Sequence, residues 1–293
     1  MKTKVIIAAN IIAAGVFLIT GSCQKDDTTG NQNNSEDTVK VVLNEQSAAE
    51  TVYSSDIYTG VISDVVVNSD KYDTKGANPI GCPDVSINPP AGYPKTLTID
   101  YGPGCVRGGR TIKGKITATL SNKIWKKGTT VSIVFTNFAI DTIGVDGGIS
   151  FTVDSVNHIM QKVYLNVQLS AFKLIMTNGT STTGGAMFIC WQRDTISGHS
   201  YDTVNVTSAA FSATTANNKS YNVTLLKTLV YPQACGHIVS GKLEVQEAGA
   251  AYPATVNFGT GTCDNTVEIC TKKAITIGQQ TIYQDHCFDI SIP

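Results

Sequence analysis

The chain has 293 residues, a formal net charge of −1 and only 15% charged residues. So even a charge balance argues against nucleic acid or an anionic membrane surface as a partner. The polar surface must be built instead from Thr, Ser and Asn. Lys2 and Lys4 then open a short positive segment, and Val5 to Ile19 is apolar except for Asn10. This reads as a secretion signal, because the run falls short of the roughly 20 apolar residues of a membrane span and no stop-transfer cluster follows.

Thr20-Gly21-Ser22 leads small residues into a single Cys23, and the segment resembles the lipobox of bacterial lipoproteins. The resemblance implies that residues 1–22 are removed and that Cys23 becomes a lipidated N-terminus holding the protein to a membrane. It departs from the pattern at Thr20, where a branched apolar residue is usual. The following Lys25-Asp26-Asp27 is similar to the lysine-plus-acids export signal of Bacteroidota surface lipoproteins, which implies an outer-membrane protein facing the cell exterior. A polar tether of any lipoprotein would offer the same residues. Residues 23–40, nearly devoid of apolar side chains, are predicted to be a disordered tether.

The remaining residues, 41–293, are predicted to form one mainly β domain made of two related halves, long enough to bury roughly 70–75% of its unfolded surface. A single helix is predicted over about 45–67, from the capping-box pattern Ser47-Ala48-Ala49-Glu50 and the i+4 stripe Ala49, Tyr53, Ile57, Val61, Val65. From about residue 80 the pattern alternates with period two. Ile112, Gly114, Ile116, Ala118 and Leu120 interleave with polar residues, as do Val163, Leu165, Val167 and Leu169, and Phe288, Ile290 and Ile292. Such half-buried strands predict an antiparallel two-sheet β-sandwich. Asp146-Gly147-Gly148 and Asn178-Gly179 read as hairpin turns.

Eight cysteines are present, seven of them after Cys23. In an exported chain they are disulfide candidates, and the absence of any Cys-x-x-Cys pair argues against structural zinc or thioredoxin-like chemistry. Gly278-Gln279 as a two-residue turn sets a register in which Ile275 meets Ile282, Lys272 meets Asp285 and Cys270 meets Cys287. That register predicts a Cys270–Cys287 cross-strand disulfide. A three-residue turn would slip the register by one and send the two cysteines to opposite faces. Cys190, in an apolar run, is predicted to be the unpaired, buried thiol.

One repeat is internal. Thr98-Ile99-Asp100-Tyr101-Gly102-Pro103-Gly104-Cys105 reads against Thr255-Val256-Asn257-Phe258-Gly259-Thr260-Gly261-Thr262-Cys263, each after a Tyr-Pro pair. The two copies are read as equivalent edges of the two halves. With Cys235 upstream of Ser240-Gly241-Lys242-Leu243, this pattern resembles uncharacterised Bacteroidota surface lipoproteins over roughly Cys82 to Asn265. The resemblance implies β structure, surface lipidation and the pairs Cys82–Cys105 and Cys235–Cys263. It carries no catalytic assignment.

No Gly-x-Ser-x-Gly, His-Glu-x-x-His, Walker or Rossmann pattern occurs, and His158, His199, His237 and His286 are scattered singly. No catalytic residue, metal site or cofactor is therefore assigned. Asp141 to Gly147 lacks the fixed ligand spacing of a calcium loop. Trp125, between Lys123 and Lys126, is either a core cap under snorkelling lysines or, if exposed, a ligand platform. Asp-Ser/Thr triplets place Thr28, Thr38, Thr142, Ser155, Thr195 and Thr203 after an aspartate, similar to the O-glycosylation acceptor of exported Bacteroidota proteins. The same triplet arises wherever Asp ends a turn and Thr opens a strand. The reading is a non-enzymatic surface interaction or structural module whose partner is an unknown protein or glycan. The alternatives are a glycan-binding accessory of polysaccharide uptake and a hydrolase whose site is assembled only in three dimensions.

Overall fold

The computed structural model describes residues 82–291, apart from 90, 108, 178, 193–202, 217, 233, 236, 265 and 278. The signal, the tether and the helix expected over about 45–67 lie outside the described residues. Those residues form β1 (Asp84–Asn88), β2 (Lys95–Asp100), β3 (Cys105–Arg107), β4 (Arg110–Leu120), β5 (Thr130–Ile140), β6 (Ile143–Asn157) and β7 (Lys162–Met176). After these come β8 (Gly179–Gln192), β9 (Thr203–Thr214), β10 (Ser220–Pro232), β11 (Ser240–Glu247), β12 (Ala254–Thr260), β13 (Thr266–Ile277) and β14 (Gln280–Ser291).

The protein is mainly β, and the strands make one open antiparallel sheet in the order β1-β2-β4-β5-β6-β7-β8-β9-β10-β11-β12-β13-β14, with β3 beside β4. The mainly β, antiparallel class expected from the sequence is the one observed, and every described strand belongs to this one sheet. Sequence neighbours are sheet neighbours almost throughout, as is usual for consecutive strands.

Period-two alternation decides which face is apolar. In β4, Ile112, Ile116, Ala118 and Leu120 are buried, and in β7 so are Val163, Leu165, Val167 and Leu169. Trp191, Phe138 and Leu97 are among the largest fully enclosed side chains, each a full burial of the kind that contributes about 1.5–3 kcal/mol. Phe135 packs edge-on against Phe172 with ring centroids 5.9 Å apart, linking β5 to β7.

Asp146-Gly147-Gly148 is not a hairpin turn. It lies inside β6, and the β5–β6 turn is Asp141-Thr142, with Ile140 facing Ile143. Each place has one residue in left-handed backbone. Asp141 has φ 54° and Gly147 has φ 92°, the first in a turn and the second in a β-bulge. The register of β6 against β7 shifts between Asp146 and Gly148.

That bulge belongs to a line of irregularities crossing the sheet. Gly114 of β4 has φ 84°, and a Cβ there would lie 2.2 Å from the carbonyl oxygen of Asn137 in β5, whose own φ is 50°. A Cβ on Gly147 would lie 2.4 Å from the carbonyl oxygen of Ala171 in β7, φ 46°. Gly185 of β8 and Gly241 of β11 abut the carbonyl oxygens of Ala210 and Thr228 in the same manner. Each bulge bends its strand and raises the local twist, so together they crease the long strands near mid-length.

The repeat is a real structural unit, although its two copies are not equivalent edges. In each, a Cys precedes a strand that hairpins into the Asx-aromatic-Gly strand, whose trailing Cys closes the open end. Gly102 N–H donates to Asp100 Oδ1 at 2.9 Å, and Gly259 N–H donates to Asn257 Oδ1 at 3.2 Å. Tyr101 and Phe258 are both buried. The first unit is the free margin of the sheet at β1, whereas the second is flanked by β10 on one side and by β13 and β14 on the other.

Candidate functional site

The structure joins Cys82–Cys105, Cys235–Cys263 and Cys270–Cys287, with Cα separations of 6.1, 5.6 and 4.0 Å. The third follows from register: Ile277 faces Gln280, Lys272 faces Asp285 and Cys270 faces Cys287. Its short Cα distance suits a non-hydrogen-bonded antiparallel pair, where about 4.5 Å is usual. Cys190 is free and buried. Burial pushes its thiol above the usual range, against smaller opposing pulls from the Tyr164 hydroxyl bonded to it and from Lys162. A thiol reagent at pH 8 should therefore label Cys190 slowly in the native protein and stoichiometrically after denaturation in urea. Rapid native labelling would contradict this burial.

Trp125 lies in the β4–β5 loop and is half-buried, its ring 5.2 Å from that of Trp191 and 6.3 Å from His158. It packs against the core while keeping part of its surface exposed. Among the triplets, Thr142 sits in the exposed β5–β6 turn, Ser155 donates from its Oγ to Asp154 Oδ2 at 3.2 Å within β6, and Thr203 opens β9. Cys23, Lys25, Asp26, Asp27, Thr28, Thr38 and Thr195 lie outside the described residues.

Two surface features remain. The first is an open cleft of about 940 Å³ over β4, β5 and β6, where the crease lies, lined by Asp100, Asp141, Asp146, Lys113 and Lys115 among others. Its carboxylates are engaged. Asp100 accepts the Gly102 amide and pairs with Lys115 at 3.0 Å, and these hold its carboxyl below the usual range. Asp141 Oδ1 accepts Thr111 N–H at 2.8 Å, and Asp146 pairs with Lys173 at 3.5 Å. The cleft therefore presents carboxylates already held by backbone amides and lysines.

The second feature is the outer half of the β13–β14 hairpin. β12 pairs with β13 only from Thr255 to Asn257, facing Glu268 to Cys270. Beyond the Cys270–Cys287 bond, Lys272–Ile277 and Gln280–Asp285 continue as a two-stranded ribbon past the end of the core. The core-side stripe of Val267 and Ile269, both buried, runs on into Ile277 and Ile282, which are 65% and 48% exposed. On the opposite face the Tyr283 ring meets Tyr252 at 4.7 Å, and these side chains are 48% and 40% exposed. The sequence held a sign of this: the apolar alternation of β13 and β14 outruns its partner β12, which begins only at Ala254. Two-stranded ribbons are marginal in water. Here the disulfide at the base braces it, and Lys272 meets Asp285 at 2.6 Å just beyond.

Compared with known protein families, curated proteins and solved structures, the chain matches none.

Proposed function

We propose that this chain is a lipid-anchored cell-surface module that works by binding a partner, not by catalysis. The observation that carries the reading is the braced ribbon with apolar side chains on both faces, Ile277 and Ile282 on one and Tyr252 and Tyr283 on the other. Apolar side chains clustered on an exposed projection are a mark of interaction sites. The three disulfides suit an exported protein, in keeping with the signal read at residues 1–22 and lipidation at Cys23. On the same reading the creased sheet folds its apolar face inward as two layers, the sandwich expected from the sequence.

The ectodomain, residues 24–293, should capture its partner from intact cells. The triple substitution Tyr252→Ser, Tyr283→Ser, Ile282→Thr should lose that capture while all three disulfides remain. Capture unaffected by the triple variant would remove the ribbon from the function. A glycan-binding role is the second reading, favoured by the Tyr252–Tyr283 pair, whose touching rings offer an exposed aromatic surface on which a sugar can stack. An array hit abolished by Tyr252→Ser alone would select it.

The address is tested separately. Cys23→Ala should release a soluble or unprocessed form, and continued membrane retention would count against lipidation. Protease added to intact cells should digest the domain, and replacing Lys25, Asp26 and Asp27 with alanine should protect it.

A further inference from the structure

The sheet has two free margins among the described residues, and they differ in kind. β1 is five residues long and lies between Pro83 and Pro89. A short margin with prolines at its ends resists the addition of another strand. β14 is twelve residues long and contains no proline, lysine or arginine. Its register against β13 is unbroken from Ile277–Gln280 to Thr266–Ser291, so it also lacks a bulge to turn it aside. Among the described residues, β14 has neither a proline, a bulge nor a lysine to blunt its edge, and its two aspartates are the only charged guards.

The polarity of this edge follows from the register. With Ile277–Gln280 as the hydrogen-bonded pair that closes the turn, alternation makes Ile275–Ile282, Lys273–Gln284, Thr271–His286, Ile269–Phe288 and Val267–Ile290 hydrogen-bonded pairs as well. The intervening residues, Thr281, Tyr283, Asp285, Cys287 and Asp289, therefore aim their N–H and C=O groups away from β13. They form a row of main-chain donors and acceptors on the outside of the sheet.

Charge restricts what can pair there. Asp289 faces Glu268 across the ladder, and both are exposed. Like charges directly opposite one another are unfavourable. Asn257 Nδ2 donates to Glu268 Oε2 at 3.2 Å, but no lysine or arginine of β13 stands opposite Asp289. Asp285, by contrast, already faces Lys272. A second copy of β14 would add only its own Asp285 and Asp289, and β1 would add Asp84. Neither supplies a lysine or arginine.

We propose that β14 accepts an extended strand from a partner protein, paired through the outward main-chain groups of Thr281 to Asp289, with a lysine or arginine beside the Glu268–Asp289 carboxylates. The mode is strand addition, in which the ladder gives affinity and alternate side chains give specificity. The inference rests on the binding role proposed above and names the partner of that same ribbon.

The test uses the full chain in detergent and fluorescent, end-blocked nonapeptides of alternating threonine and valine with one lysine at the first or the last position, the place facing Asp289 in an antiparallel or a parallel ladder. Each twin carries glutamate at that position. In one pair the lysine peptide should bind about fivefold tighter than its twin, the scale of one cross-strand charge contact. Asp289→Lys should reverse that preference. Asp285→Pro removes an outward N–H without touching the β13 ladder and should weaken binding by about tenfold or more, whereas Asp285→Asn should change it little. Should Asp285→Pro fail to fold, methylating alternate amides of the peptide provides the same test from the other side. One methylation pattern should abolish binding and the complementary one should not. Equal binding within both pairs, indifference to the proline and to both methylation patterns, or no binding would overturn strand addition. The triple ribbon variant, read by capture from cells, would still decide whether the ribbon binds a partner in another way.

Discussion

Gly114→Ala should lower the free energy of unfolding by about 3 kcal/mol or more, read as a fall in the urea midpoint with little change in slope. Two costs combine. Left-handed backbone costs an L-residue about 1–2 kcal/mol, and Gly114 has φ 84°. The new Cβ would also lie 2.2 Å from the Asn137 carbonyl oxygen, a contact relieved only by moving the neighbouring strand. Overpacking of this kind costs about 1–3 kcal/mol. Gly128 separates the two contributions, since its φ is 82° but nothing lies within 4 Å of an added Cβ. Gly128→Ala should therefore cost only about 1 kcal/mol. Equal losses at the two positions would show that strand approach at the crease is not what requires glycine.

Replacing Cys270 and Cys287 together with serine should loosen the ribbon by up to about 3 kcal/mol, the loop-closure scale for a short loop. The sequence separation is 17 residues. Most of the loss should be local, because among the described residues no third strand pairs with the ribbon beyond this bond. Amide exchange at Ile275 and Ile282 should accelerate by about a hundredfold, while core amides of β7 and β8 stay protected. The Lys272–Asp285 pair cannot compensate, since exposed ion pairs contribute little. Unchanged exchange at Ile275 and Ile282 would show that something other than the disulfide holds the ribbon.

The strands were legible because the apolar side chains of β4 and β7 alternate without interruption, and burial on one face leaves that pattern a single interpretation. The Cys270–Cys287 register was legible because a two-residue turn and three matched pairs agree. Asp146-Gly147-Gly148 was misread because a turn and a bulge ask the same thing of glycine, namely left-handed backbone, and local sequence does not say whether the chain reverses afterwards. How the strands are joined into one sheet was hidden for a similar reason. Alternation reports which side of a strand is apolar but not where the sheet bends. The ribbon escaped notice because exposure depends on where β12 stops, a fact about a neighbour and not about Ile277 or Tyr283.

Because each strand pairs with the one made just before it, save for the short β3, the sheet has a natural order of assembly. As the chain emerges from its N-terminal end, each new hairpin docks onto a finished template and buries its apolar face without waiting for distant sequence. The disulfides obey the same rule, with partners 23, 28 and 17 residues apart. Every crosslink can close while its own hairpin is still the growing tip. Contacts this local favour rapid folding even in an all-β protein, because little chain entropy is lost before the contacts that offset it form. The same order adds β14 after the other described strands, and its outer side is one of the two margins left open among the described residues.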